Sequence, residues 1–124
     1  MFDHVKFGVR DFAQSKTFYL RALEPLGVTV VTDWPPHGAE LSQPAGMTSL
    51  CIYQTDEQPA HLHIAFMAES RQQVDAIHAA ALGAGWQCTG PPGLRPQYSA
   101  QYYAAFVFDP DGHNIEVVCH EPEV

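Results

Sequence analysis

The sequence predicts an α+β protein made of two modules that share the order βαβββ, and three observations carry that expectation. A short β-like run opens each half: His4-Val5-Lys6-Phe7-Gly8-Val9 in the first, His63-Ile64-Ala65-Phe66-Met67 in the second. A helix-like run follows each of them, from Ser15 to Leu23 and from Ser70 to Leu82. Each half then carries a Pro-x-Gly turn before another β-like run. These are Pro44-Ala45-Gly46 before Met47–Gln54 and Pro110-Asp111-Gly112 before His113–His120. The expected organisation is one domain over 1–124, with module 1 at about 1–55 and module 2 at about 60–122.

The elements follow in order along the chain. His4–Val9 alternates, with Val5, Phe7 and Val9 on one side and His4, Lys6 and Gly8 on the other, as a strand does. Asp11 or Ser15 is placed to cap the helix that follows, and Pro25 and Gly27 end it. Val28–Trp34 is β-like and is broken by Pro35-Pro36-His37-Gly38. Ala39–Ser42 and Thr48–Gln54 form the next strands, and the polar stretch Thr55–Pro59 links the halves. In the second half His61–Met67 is the opening strand. Glu69 or Ser70 opens a helix whose Val74, Ile77, Ala81 and Leu82 recur at helical spacing, and Gly83 and Gly85 close it. A short strand around Trp86–Thr89 leads into Gly90–Pro96, which carries too many chain breakers to be regular. Tyr102–Phe108 and His113–His120 close the module around the turn Asp109-Pro110-Asp111-Gly112.

An apolar content of 46% in 124 residues is enough for a real core. The net charge of −8, from 14 acidic and 6 basic residues, disfavours nucleic-acid binding, which relies on clustered Lys and Arg. No apolar run approaches the ~20 residues of a spanning helix, and no basic amphipathic helix suggests a membrane surface. The start Met-Phe-Asp-His lacks the pattern of a signal peptide, so a cytoplasmic protein is expected. Cys51, Cys88 and Cys119 are odd in number and widely spaced, which indicates neither a disulfide framework nor a zinc knuckle. Cys51 and Cys119 suit buried positions. Asp109 and Asp111 read as turn-shaping residues, and His37, His78 and His113 as loop or helix-surface residues.

The motifs His4-Val5-x-Phe7-x-Val9, Phe18-Tyr19, Leu26-Gly27, His63-Ile64-Ala65 and Asp109-Pro110-Asp111-Gly112-x-x-Ile115-Glu116, in this order, resemble the vicinal oxygen chelate superfamily. This is the group of glyoxalases, bleomycin-resistance proteins and extradiol dioxygenases. The resemblance runs from Asp3 to about His120 and is most specific at Asp109–Glu116. It implies a cupped, eight-stranded mixed sheet with helices on its outer face, often completed by dimerisation, so a homodimer is expected. It also implies metal ligands at His4, His63 and Glu116. Aligning the two Pro-x-Gly turns sets Leu50 opposite Glu116, where glyoxalase I-like enzymes place a fourth, carboxylate ligand. A slip of one residue would set Cys51 there and flip the strand's faces.

Two imidazoles and one carboxylate suit one divalent ion (Fe, Mn, Ni or Zn) and leave coordination positions open. A small oxygenated metabolite could chelate there through adjacent oxygens, with the ion as Lewis acid. Other candidates for catalytic or pocket roles are His61, which shares a face with His63, Tyr102 beside the closing strands, and Arg95 as an anion clamp. The sequence therefore points to a metal-dependent lyase, isomerase or dioxygenase, with thiol transfer a further option. The alternative is a metal-independent drug- or metabolite-binding protein of the bleomycin-resistance kind.

Overall fold

The computed structural model describes residues 1–46, 48–58 and 60–123. Met47 (the expected start of a β-like run), Pro59 (the end of the expected linker) and Val124 lie outside the described residues. The chain divides into two compact units, Met1–Ala60 and His61–Val124.

The first unit comprises β1 (His4–Val9), α1 (Phe12–Ala22), β2 (Thr29–Trp34), β3 (Gly38–Ser42) and β4 (Ser49–Gln54). Its sheet has the order β1-β4-β3-β2, with β1 parallel to β4 and the other pairs antiparallel. The Asp11 carboxylate accepts a hydrogen bond from the Gln14 N–H at 3.0 Å, so Asp11 is the helix cap. Ser15, the other candidate, lies buried inside the helix. After a 3-10 turn at Glu24–Leu26, Gly27 takes φ +75°, a left-handed conformation that glycine adopts without a Cβ clash. Phe18 and Tyr19 of α1 join Val9, Leu41 and Ile52 in the core, and the Tyr19 ring meets Phe7 edge-on at 6.2 Å. Strand alternation therefore turns His4, Lys6 and Gly8 to the face away from α1.

The second unit repeats the plan with β5 (His63–Met67), α2 (Arg71–Gly83), β6 (Cys88–Leu94), β7 (Tyr103–Phe108) and β8 (Asn114–Cys119). Its sheet order is β5-β8-β7-β6, again with the first and last strands parallel. Ser70 caps α2 by accepting from the Gln73 N–H at 3.1 Å. Val74, Ile77 and Ala81 form the buried stripe of α2, which packs on β6, β7 and β8. Together the ladders form two four-stranded mixed sheets with two helices, the α+β class expected.

Two local expectations are corrected. Gly90-Pro91-Pro92-Gly93 lies within a strand, β6. The register steps from Cys88↔Val107 to Gly90↔Phe106 and on to Gly93↔Ala104, so bulges absorb the prolines, and β6 is the outer strand of its sheet. His113 is not a surface residue: it is wholly buried, and its Nδ1 accepts from the Leu62 N–H at 2.9 Å. That bond ties the approach to β5 to the turn before β8.

Ser70→Ala is expected to lower stability by about 1 kcal/mol, the usual cost of a lost N-cap, and Ser70→Asn to retain most of it. Urea unfolding midpoints of the three proteins check this.

Candidate metal centre in the second unit

The chemistry of the second unit converges on Glu116. This residue lies in β8 between Ile115 and Val117, which face α2, so its own side chain points to the opposite face. It is only 3% exposed. A carboxylate so buried needs partners for both oxygens. His63, the first residue of β5, places Nε2 2.9 Å from Glu116 Oε1. The Tyr102 hydroxyl, immediately before β7, donates to Glu116 Oε2 in a short hydrogen bond. The parallel β5–β8 ladder, with Ala65 opposite Glu116 and His63 opposite Asn114, brings the imidazole and carboxylate together diagonally.

The surroundings hold these groups in place. His63 Nδ1 lies 3.1 Å from the Asn114 carbonyl oxygen, and the ring stacks on Phe106 at 6.3 Å and 22°. Tyr102 packs against Tyr98 at 5.0 Å and edge-on against His120 at 5.2 Å. Donation to Glu116, then burial and the carboxylate's charge, push the Tyr102 phenol up to about 12. It is therefore a neutral donor throughout the physiological range.

The donor set fits a divalent ion. Nδ1 faces a backbone carbonyl, which leaves Nε2 directed toward Glu116, the arrangement typical of a ligating histidine. His63 Nε2 and Glu116 Oε1, 2.9 Å apart, are the two donors that would hold such an ion.

The remaining candidates are placed as follows. His4, in the first unit, is half-exposed and its Nδ1 lies 2.7 Å from Asp3 Oδ1. His61 is exposed, and its ring meets His113 edge-on at 6.3 Å with no hydrogen bond to Glu116. Arg95 donates to the Pro91 carbonyl at 2.7 Å and lies over the Phe106 ring at 5.4 Å, so it braces β6 and the ring behind His63.

The expected place of Leu50 is corrected by the register. His4 pairs with Ser49 and His63 with Asn114; two residues on, Lys6 pairs with Cys51 and Ala65 with Glu116. Cys51 therefore stands at the position in its unit that Glu116 holds in the other, and Leu50 turns to the α1 side, buried. The turn before β4 is one residue longer than the turn before β8, which the Pro-x-Gly alignment did not reveal.

A second group of potential ligands, Asp109, Asp111 and His113, has donor atoms within 4.8 Å of one another. Its sequence signal was the turn Asp109-Pro110-Asp111-Gly112 read together with His113. Asp109 Oδ1 accepts from the N–H groups of Asp111 and His113 at 2.9 and 2.8 Å, and His113 Nδ1 accepts from Leu62. These contacts make the cluster a fastening of the turn.

Two βαβββ units, each with a parallel pair of outermost and central strands and a polar cluster on the face away from its helix, define a fold class shared with known proteins. The model of the glyoxalase/bleomycin resistance protein/dioxygenase superfamily matches residues 1–117, and the chain belongs to that superfamily. A glyoxalase/bleomycin resistance protein from Albidiferax ferrireducens T118 is 32% identical, with a TM-score of 0.80 over 98% of this chain and 99% of that one. A lactoylglutathione lyase from Agrobacterium tumefaciens shares the fold at 16% identity and TM-score 0.72, over 96% and 92% of the two chains. The oxidase ChaP-H2 does so at 22% identity and TM-score 0.70, over 99% and 94%. No curated protein sequence matches the chain.

The Tyr102 phenol is expected to ionise near pH 12 in the native protein and nearer 10 in Glu116→Gln. Because the folded state holds this proton more tightly than the unfolded state, the bond's contribution is complete below pH ~10 and is lost as pH rises toward 12. Ultraviolet difference titration of the native protein, Glu116→Gln and Tyr102→Phe checks the assignment.

Proposed function

We propose that this protein is a metal-dependent enzyme acting on a small oxygenated metabolite, with His63 and Glu116 as metal ligands. The observation that carries this reading is the contact between His63 Nε2 and Glu116 Oε1, a nitrogen and a carboxylate oxygen at the separation two ligands of one ion have. His4, which opens the first unit as His63 opens the second, is the third donor offered by the sequence. A bound ion would supply Lewis acidity to substrate oxygens and stabilise negative charge that develops on them.

The protein's own groups serve that role. The Asn114 carbonyl fixes the tautomer of His63, and Phe106 fixes the plane of its ring. Tyr102 engages Oε2 of Glu116, which leaves Oε1 to face the imidazole. Its phenol stays protonated at neutral pH and so acts as a donor. The reaction class in first place is lyase or isomerase chemistry through an enolate, followed by dioxygenation. A lactoylglutathione lyase and an oxidase among the structural relatives are in keeping with both. A cytoplasmic homodimer is the proposed working form.

A second reading, metal-free sequestration of a ligand, is favoured by one specific observation: both Glu116 oxygens have partners without an ion.

Elemental analysis of gently purified protein decides between the two. The metal reading expects about one equivalent of Fe, Mn, Ni or Zn, lost in His63→Ala and Glu116→Ala and reduced in His4→Ala. Asp111→Asn is expected to leave metal content unchanged. Protein that stays metal-free after anaerobic reconstitution would remove the metalloenzyme reading and leave sequestration.

A further inference from the structure

The first unit carries a cleft whose lining includes none of the proposed metal ligands. Across its sheet the ladder aligns Gly8 of β1, Tyr53 of β4, Gly38 of β3 and Trp34 of β2 in one row. The row lies on the face away from α1, and Lys6 occupies the neighbouring row on the same face. The glycine at 38 makes room for one of the rings. A Cβ on Gly38 would lie 2.3 Å from Trp34 Nε1, so the indole rests directly on the Gly38 backbone. A Cβ on Gly8 would lie 2.5 Å from Thr55 Cγ2 and at an ordinary 3.4 Å contact from Tyr53 Cε2.

The resulting cleft, about 520 Å³, is lined by Lys6, Trp34, Pro36, His37, Tyr53 and Gln54. That volume falls in the ~300–1,000 Å³ range of small-molecule sites. The Lys6 ammonium lies 5.3 Å from the Trp34 ring centre and 5.4 Å from that of Tyr53. Among the described residues no carboxylate lies within ion-pair distance of it, whereas Lys16 is paired with Asp33 at 3.0 Å. Glu40, on the same face, is engaged by the Ser49 and Thr32 hydroxyls at 2.8 and 3.3 Å. In a chain of net charge −8, this ammonium faces an open cleft with only ring faces as partners.

We propose that this cleft binds a small aromatic anion of the aryl carboxylate class. The Lys6 ammonium pairs with the carboxylate, and Trp34 and Tyr53 flank the aryl ring. One cation without a cradle of backbone N–H groups suits a single carboxylate better than a phosphate. Two aromatic side chains at the edges of the cleft suit a flat apolar body. Every residue involved belongs to the first unit, and none is a proposed metal ligand, so the inference stands apart from the metal reading.

The test is calorimetric titration with 1-naphthoate and its uncharged counterpart 1-naphthamide, in EDTA so that no metal takes part. The wild type is expected to bind naphthoate saturably and about tenfold more tightly than naphthamide, the scale of one charge-assisted hydrogen bond. Lys6→Met is expected to weaken naphthoate about tenfold and abolish that preference, while Lys6→Arg keeps it. Trp34→Leu is expected to weaken both probes. Equal affinity for the two probes, no saturable binding, or naphthoate affinity unchanged in Lys6→Met would each overturn the proposal. Thermal unfolding of each variant verifies folding, and Lys6→Gln replaces Lys6→Met if the latter does not fold.

Discussion

The parallel pairing of the first and last strands in each unit is the constraint on which the rest depends. β1 lies against β4 and β5 against β8, so residues from opposite ends of a unit's sequence share one ladder. Neither pair can form from a tight hairpin, because parallel strands require a crossover, and the intervening helix and two strands provide it. The helix covers one face of the sheet, and the alternate residues of the same strands are directed to the other. Core and site are thus consequences of one register. Ile115 and Val117 are buried beneath α2 for the same reason that Glu116 meets His63.

Glu116 is where this arrangement carries an energetic liability. Burying a carboxylate costs several kcal/mol unless both oxygens are engaged, and removing one partner leaves the penalty in place. Tyr102 and His63 divide the two oxygens between them. Tyr102 donates from a loop whose own backbone is fastened by the Arg95 N–H to the Tyr102 carbonyl at 2.7 Å, so the phenol is presented by a braced segment. The histidine is half-exposed on its side of the contact, and the carboxylate is not. Access to the pair is therefore through the imidazole side.

Much of this was legible in the residues. Alternation in His4–Val9 and the 3.6-residue spacing of Val74, Ile77 and Ala81 reflect which face is buried, and both recur in the structure. His63 and Glu116 could be singled out because the motifs around them resemble those of a known superfamily, and Tyr102 because it stands beside the closing strand. The illegible features were those set by pairing itself. Leu50 and Cys51 exchange roles with a difference of one residue in turn length, which no periodicity reports. The β6 segment looked irregular because its prolines violate strand propensity, but an outer strand needs hydrogen bonds on one side only. His113 is the loop residue it looked like, but its burial and its bond to Leu62, far away in sequence, leave no local signal.

The prolines of β6 have a consequence for how this molecule behaves at high concentration. A sheet's outermost strand is ordinarily a template on which another chain can add, the first step toward tangled or fibrillar assemblies. Pro91 and Pro92 remove two successive amide hydrogens from that strand, and the bulges beside them bend it out of the regular pleat. The same residues that hid β6 from view in the sequence thus keep its margin from recruiting a neighbour.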